Sequence, residues 1–208
     1  MKIFVVGGAL NYADWISDDI DFVNNVDDAD LIMLTGGEDT DPSIYGELRN
    51  HKTYSNIRRD LKELKIFNEC QKLNKPMLGI CKGAQTLTAF QPKGRLVQHV
   101  ENHAVWNGHD VKFNDGKILN ATSTHHQMMY PFNVDKYELI AWSAVKKSDN
   151  YEFGPTDEIL TSLPENKEPE IVFYPETRCL SCQSHPEMMD KDDPFVVKMR
   201  KLVKLKLL

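Results

Sequence analysis

The sequence predicts an α/β fold with a mostly parallel central sheet flanked by helices. Three observations carry this. Three short apolar runs, KIFVVGG at 2–8, ADLIMLTGG at 29–37 and KPMLGICKG at 75–83, each end in glycine. They are continuous rather than alternating, as in strands covered on both faces. Between the last two, SNIRRDLKELKIFNECQKLNK places Ile57, Leu61, Leu64, Phe67 and Cys70 on one helical face. A strand, a helix and another strand form a right-handed parallel crossover.

The elements follow in order. KIFVV is the first strand and LIML the second. Ser55 is the expected cap of the helix between them and the third strand, MLGI. A second helix is expected at about 83–90. RLVQHV, HDVKFN, YELIAWSA and EIVFYPETRCLSCQSHPE make the second half richer in strands. The end, DDPFVVKMRKLVKLKLL, is a helix with Asp193 as N-cap, Pro194 as first residue and Phe195, Met199, Leu202 and Val203 on its apolar face. The polar stretch 145–170 reads as surface decoration. With no linker or repeat, 1–208 reads as one domain.

Composition narrows the function classes. The AVILMFWYC set makes up 41% and charged residues 27%, which excludes disorder, collagen and coiled coil. A net charge of −6, from 25 basic and 31 acidic residues, leaves no electrostatic footprint for nucleic acid or an anionic membrane. No apolar run approaches the ~20 residues of a membrane span. The N-terminus reads as a strand rather than a signal peptide. Cys70, Cys81, Cys179 and Cys182 are too sparse for a disulfide scaffold, so a cytoplasmic location is expected.

The sharpest chemical signal is MLGICKGAQ at 77–85. A strand runs into Gly79-Ile80-Cys81-Lys82-Gly83, a nucleophile elbow with cysteine in the serine's place. Small flanking residues allow the sharp turn. The helix N-terminus favours thiolate, and the Lys82 N–H points where an oxyanion would form. Without that context, a buried inert cysteine is the commoner reading. A nucleophile needs a base and the base an orienting group. QSHPEM at 183–188 supplies His185 and Glu187, two apart and so on one side of an extended segment. Alone, the tripeptide would read as a surface turn. LTGGEDTDPSIYGE at 34–47 sets Gly36-Gly37 at the carboxyl end of a strand, where binding loops of parallel sheets gather. One of these glycines can donate the second oxyanion hydrogen bond; the plainer reading is a Gly-Gly turn.

Other features carry less. There is no H-E-x-x-H among the seven histidines, and His125 and His126 point to opposite faces of an extended segment, so no metal is expected. Cys179-Leu-Ser-Cys182 spans i to i+3 on a strand and makes a poor clamp. The GHD and DDIDFVNNVDDAD segments read as solvated faces and caps, and Trp15, Trp106 and Trp142 as core or rim. Gly7-Gly8 lacks a following G-x-G-x-x-G, which leaves a dinucleotide site unsupported.

LTGG.D..P..YGE, GICKGAQ, STHHQ and SHPE, in that order, resemble the class I glutamine amidotransferase-like superfamily from about residue 30 to 190. The opening loop resembles the peptidase C26 branch, which holds free-standing γ-glutamyl hydrolases; dedicated amidotransferases more often carry Gly-Gly-Pro there. The resemblance implies a flavodoxin-like three-layer sandwich and a triad of Cys81, His185 and Glu187. It implies oxyanion donors from Lys82 and Gly37, and substrate contacts from Gly36, Gln85, His125 and His126. FQPKGRL at 90–96 departs from the family's Gly-rich turn. The expected substrate is glutamine or a γ-glutamyl compound, with no cofactor. The expected partner of a glutaminase is an ammonia-accepting synthetase subunit. A free-standing γ-glutamyl hydrolase and a non-catalytic binding or regulatory domain are the alternatives.

Overall fold

The computed structural model describes residues 1–155 and 158–208, and of Trp106 only the backbone, so the reading of that side chain lies outside the described residues. The first half builds a parallel ladder from β1 (Lys2–Val6), β2 (Asp21–Phe22), β3 (Leu31–Leu34) and β4 (Met77–Ile80). Helix α1 (Ile57–Lys72) is the crossover between β3 and β4, and α2 (Lys82–Ala89) follows β4 directly. Next come β5 (Arg95–Val97), β6 (His99–Val100), β7 (Ala104–Phe113), β8 (Ile118–Thr124), β9 (Met128–Tyr130) and β10 (Glu138–Ser143). The chain ends with β11 (Tyr151–Glu152), β12 (Ile159–Leu160), β13 (Pro169–Tyr174), β14 (Cys179–Cys182) and α3 (Pro194–Lys206).

The main sheet has nine strands in the order β2-β1-β3-β4-β14-β13-β10-β7-β8. The first five are mutually parallel, and each later pair is antiparallel. Only β13 and β7 therefore run against the rest. The carboxyl ends of β1, β3, β4 and β14 lie along one edge, which brings Gly36, Cys81 and His185 together.

Alternate residues of the buried strands feed two cores. Ile3, Leu31, Met33, Leu78 and Ile80 pack with Phe195, Val196, Met199 and Val203 of α3. Val6, Ile32, Leu34 and Met77 pack with Ile66, Phe67 and Cys70 of α1 and Ala84 and Leu87 of α2. Cys179 belongs to the second core and Cys182 to the first, as an i, i+3 pair on a strand must. α3 starts as read from sequence, with Asp193 accepting from the Phe195 N–H and Pro194 in the first turn.

Two expectations are corrected. α1 is capped by Asn56, whose side chain accepts from the Arg59 N–H, not by Ser55. Its buried face holds Asp60, Glu63, Ile66, Phe67 and Cys70, while Ile57 and Leu61 are exposed. Burying an apolar side chain gains about 1.5–3 kcal/mol. A buried lysine without its carboxylates loses more, about 3–5 kcal/mol. The helix is therefore turned so that Asp60 and Glu63 meet Lys82.

The stretch 145–170 is also more than decoration. β11 pairs with β6 and β12. Tyr151, Phe153 and Leu163 share a small core with Val97, Val100, Met128 and Tyr130, and β5 pairs with β9 beside it. Its Thr156 and Asp157 lie outside the described residues. Among the described residues, no helix is long and apolar enough to cross a membrane.

Candidate active site

Cys81 sits between β4 and α2 with φ 49° and ψ −108°. Its N–H donates to the Cys182 carbonyl at 2.7 Å, and its carbonyl accepts the Gln85 N–H at 3.1 Å, opening α2. The flanking glycines are sterically required. A Cβ on Gly79 would collide with the Gly83 carbonyl, and one on Gly83 with the Leu34 carbonyl. The Lys82 N–H opens α2 and has no partner within the helix.

His185 follows β14. Its N–H donates to Thr122 Oγ1 at 2.9 Å, and Thr122 Oγ1 donates to its carbonyl at 3.0 Å. Its Nδ1 is 2.6 Å from Glu187 Oε1, with both side chains buried. Extended geometry does not make this contact: Pro186–Met188 form one tight helical turn that folds Glu187 back on the ring. Burial works against charge on His185, but the Cys81 sulfur and the Glu187 carboxylate outweigh it and raise its pKa to about 10. Nε2 has no hydrogen-bond partner among the described residues. The ring, Cys81 and Tyr12 converge on Gly36: a Cβ there would lie 3.1 Å from His185 Cε1, 3.1 Å from the Tyr12 hydroxyl and 3.7 Å from Cys81 Cβ. Tyr12, unnoticed in the sequence, has its pKa raised by burial and by the charges of Glu187 and Cys81.

The Gly36-Gly37 loop is held from behind. Arg59 Nη2 donates to the Thr35 carbonyl at 3.1 Å and the Gly36 carbonyl at 3.0 Å, and Nη1 to Glu38 at 2.9 Å. Gly37 has φ 151°, and a Cβ there would run into the guanidinium. Arg59 Nε in turn donates to Glu63 at 2.8 Å. Glu63 also pairs with Lys82 Nζ, which lies 2.7 Å from Asp60 Oδ1, all three fully buried. Asp60 Oδ2 accepts the Asp41 N–H at 2.9 Å. One face of α1 thus ties the residue after the nucleophile to the glycine loop. The sequence hints at this only through the acids at 60 and 63 on a helix beside an elbow lysine.

A pocket of about 150 Å³ opens beside Cys81, lined by Gly37, Glu38, Asp39, Gln85, His125 and His126 among others. Gln85 Nε2 donates to the Gln127 carbonyl at 2.7 Å. His126 Nε2 lies 3.1 Å from Asp39 Oδ1, and that hydrogen bond raises its pKa against partial burial. His125 reaches the pocket wall, but its ring turns inward to a buried cluster with His103, His109 and Glu170. His109 belongs to the GHD segment and is 3% exposed, not solvated. A wider cleft of about 680 Å³ runs along α3, lined by lysines, acids and apolar residues without thiol or imidazole.

Residues 5–139, which hold the glycine loop and the elbow, match the model of the peptidase C26 family. Protein NtpR of Enterococcus hirae is 31% identical over 107 residues, 51% of this chain and 43% of that protein. The glutamine amidotransferase-like protein YvdE of Lactococcus lactis subsp. lactis is 43% identical over 70 residues, 33% of this chain and 29% of that protein. The matches thus span less than half the length of these two relatives. The structure of PurLQS from Thermotoga maritima superposes with a TM-score of 0.66 at 17% identity, covering 99% of each chain, a likeness of fold. By the matched family model and this architecture, the chain belongs to the peptidase C26 family and has the class I glutamine amidotransferase fold.

Proposed function

We propose that the chain hydrolyses a γ-glutamyl amide through a thioester on Cys81, as a glutaminase that passes ammonia to a separate synthetase. The observation that carries this is the strained Cys81 backbone beside the His185–Glu187 pair. Cys81 Sγ attacks the side-chain carbonyl carbon, and the carbonyl oxygen takes up the electron pair. The N–H groups of Lys82 and Gly37 receive that oxyanion. His185 Nε2 gives its proton to the departing nitrogen, which leaves as the carbonyl reforms into a thioester. His185 then takes a proton from water, hydroxide adds to the thioester carbon, and the sulfur leaves with glutamate released. Glu187 holds the imidazole orientation and stabilises its charge. Gln85, His125 and His126 line the pocket that takes the substrate, while Gly36 lies outside that lining, against His185 and Tyr12.

Free-standing hydrolysis of a γ-glutamyl peptide or conjugate is the second reading, favoured by the match to peptidase C26. A purely binding role would leave the strain at Cys81, of order 1–3 kcal/mol, without a return. The four cysteines are free and buried, which suits work in the cytoplasm.

Ammonia and glutamate release by the isolated chain separates the two catalytic readings. A glutaminase subunit is nearly silent on glutamine alone and accelerates with its synthetase. A free hydrolase turns over a γ-glutamyl peptide unaided. In both, Cys81→Ala lowers the rate at least about a thousandfold with the fold intact. Turnover surviving that substitution rejects the thioester route.

A further inference from the structure

Beneath the pocket floor, three strands bring four buried side chains to one point. His103 precedes β7, His109 lies on β7, His125 follows β8 and Glu170 lies on β13. Glu170 Oε1 is 3.3 Å from His103 Nδ1, 3.1 Å from His109 Nε2 and 3.5 Å from His125 Nε2. All four offered ligand atoms lie within 4.8 Å of one another, and among the described residues none of them has a hydrogen-bond partner.

The outer ring nitrogens decide what the inner ones present. His109 Nδ1 lies 3.2 Å from the Asp110 carbonyl and His125 Nδ1 3.0 Å from the Gln127 carbonyl. A carbonyl only accepts, so both Nδ1 atoms carry the proton. His103 Nε2 lies 3.3 Å from Glu168 Oε2. That carboxylate already accepts from the Lys147 and Ser148 N–H groups and the Tyr151 hydroxyl. His103 Nε2 thus faces a carboxylate at ion-pair distance, and its Nδ1 faces Glu170. With Nδ1 as the donor on His109 and His125, the Nε2 atoms of these two rings face inward, and His103 Nδ1 meets them at the same Glu170 oxygen. Three ring nitrogens and a carboxylate gathered within 4.8 Å, with no hydrogen bond at these atoms among the described residues, form a cage suited to a cation.

We propose that His103, His109, His125 and Glu170 bind one divalent transition-metal ion of the zinc class. Three imidazoles and one carboxylate are a suitable donor set for zinc. Bonds of about 2.0–2.1 Å place tetrahedral ligand atoms roughly 3.3 Å apart, close to the three oxygen–nitrogen distances. Imidazoles whose second nitrogen donates to a carbonyl or carboxylate are the usual support of such a centre. The site is closed, with all four residues buried, so the ion clamps β7, β8 and β13 rather than meeting substrate. Its reach to the pocket is mechanical. The Gln127 carbonyl that orients His125 also receives the Gln85 amide.

The test uses the full chain carrying Cys81→Ser, stripped with chelator and titrated with zinc alone and then with cobalt(II). The account predicts one equivalent bound with a dissociation constant below about 10 μM. It predicts a higher melting temperature with metal, and a tetrahedral cobalt spectrum without thiolate charge-transfer bands. His109→Gln and Glu170→Gln each weaken binding at least about a hundredfold. Weaker binding to the Cys81→Ser chain overturns the site. So does a thiolate-type cobalt spectrum, or unchanged affinity in both folded variants. If those variants fail to fold, the stoichiometry, affinity and cobalt spectrum decide the matter alone.

Discussion

At Cys81 the backbone holds a conformation that only tight surroundings maintain. Gly79, Gly83 and the Leu34 carbonyl leave no room for another path. Gly83→Ala is therefore expected to cost about 2 kcal/mol or more by overpacking, read by urea unfolding; an unchanged midpoint would refute the steric argument. Glu187 is one of the groups that raise His185, so Glu187→Gln lowers the pH at which its imidazolium titrates below about 10. A proton donor must be charged to act, so the alkaline limb of the pH–rate profile moves to lower pH. A limb that stays in place removes Glu187 from its role. These residues were legible in the sequence because an elbow's steric demands lie within a few neighbouring positions. The His185–Glu187 pairing was legible too, although a tight turn makes it and not a strand.

Among the elements, α1 does what its apolar spacing does not announce. Its Asp60 and Glu63 answer Lys82, a residue about twenty positions on, and Arg59 carries that tie to the glycine loop. Non-local pairing of this kind overrides a helical face read from hydrophobicity alone, and so Ile57 and Leu61 were misplaced. Lys82→Met strands two buried carboxylates and is expected to destabilise by about 3–5 kcal/mol. Adding Asp60→Asn and Glu63→Gln should recover much of that loss. Failure to recover would show that packing, not charge, holds the elbow. Arg59→Ala should lower kcat about tenfold to a hundredfold by loosening the loop that carries Gly37. An unchanged kcat with a stable fold would detach Arg59 from the chemistry.

At the scale of the molecule, the parallel half of the sheet was legible from three apolar runs and one amphipathic helix. The antiparallel half was legible as strands but not as an order, because pairing of β13, β10, β7 and β8 is set by contacts across the sheet. The cluster of His103, His109, His125 and Glu170 was hidden for the same reason. Its members are scattered over nearly seventy residues and meet only when β7, β8 and β13 are in place. The small core around Tyr151 and Phe153 escaped because a polar stretch supplies few, well-separated apolar residues.

The central claim is a formed, glutamine-accepting thiol site at the edge of the sheet. Labelling the chain with a glutamine-mimicking diazoketone, mapped by peptide mass spectrometry beside iodoacetamide, tests it most directly. The account predicts an adduct of the mimic on Cys81 alone, abolished by Cys81→Ser and slowed by His185→Ala. Iodoacetamide reaching Cys81 while the mimic leaves it unlabelled would contradict a glutamine-accepting pocket. Labelling of Cys81 by neither reagent would contradict the nucleophile itself.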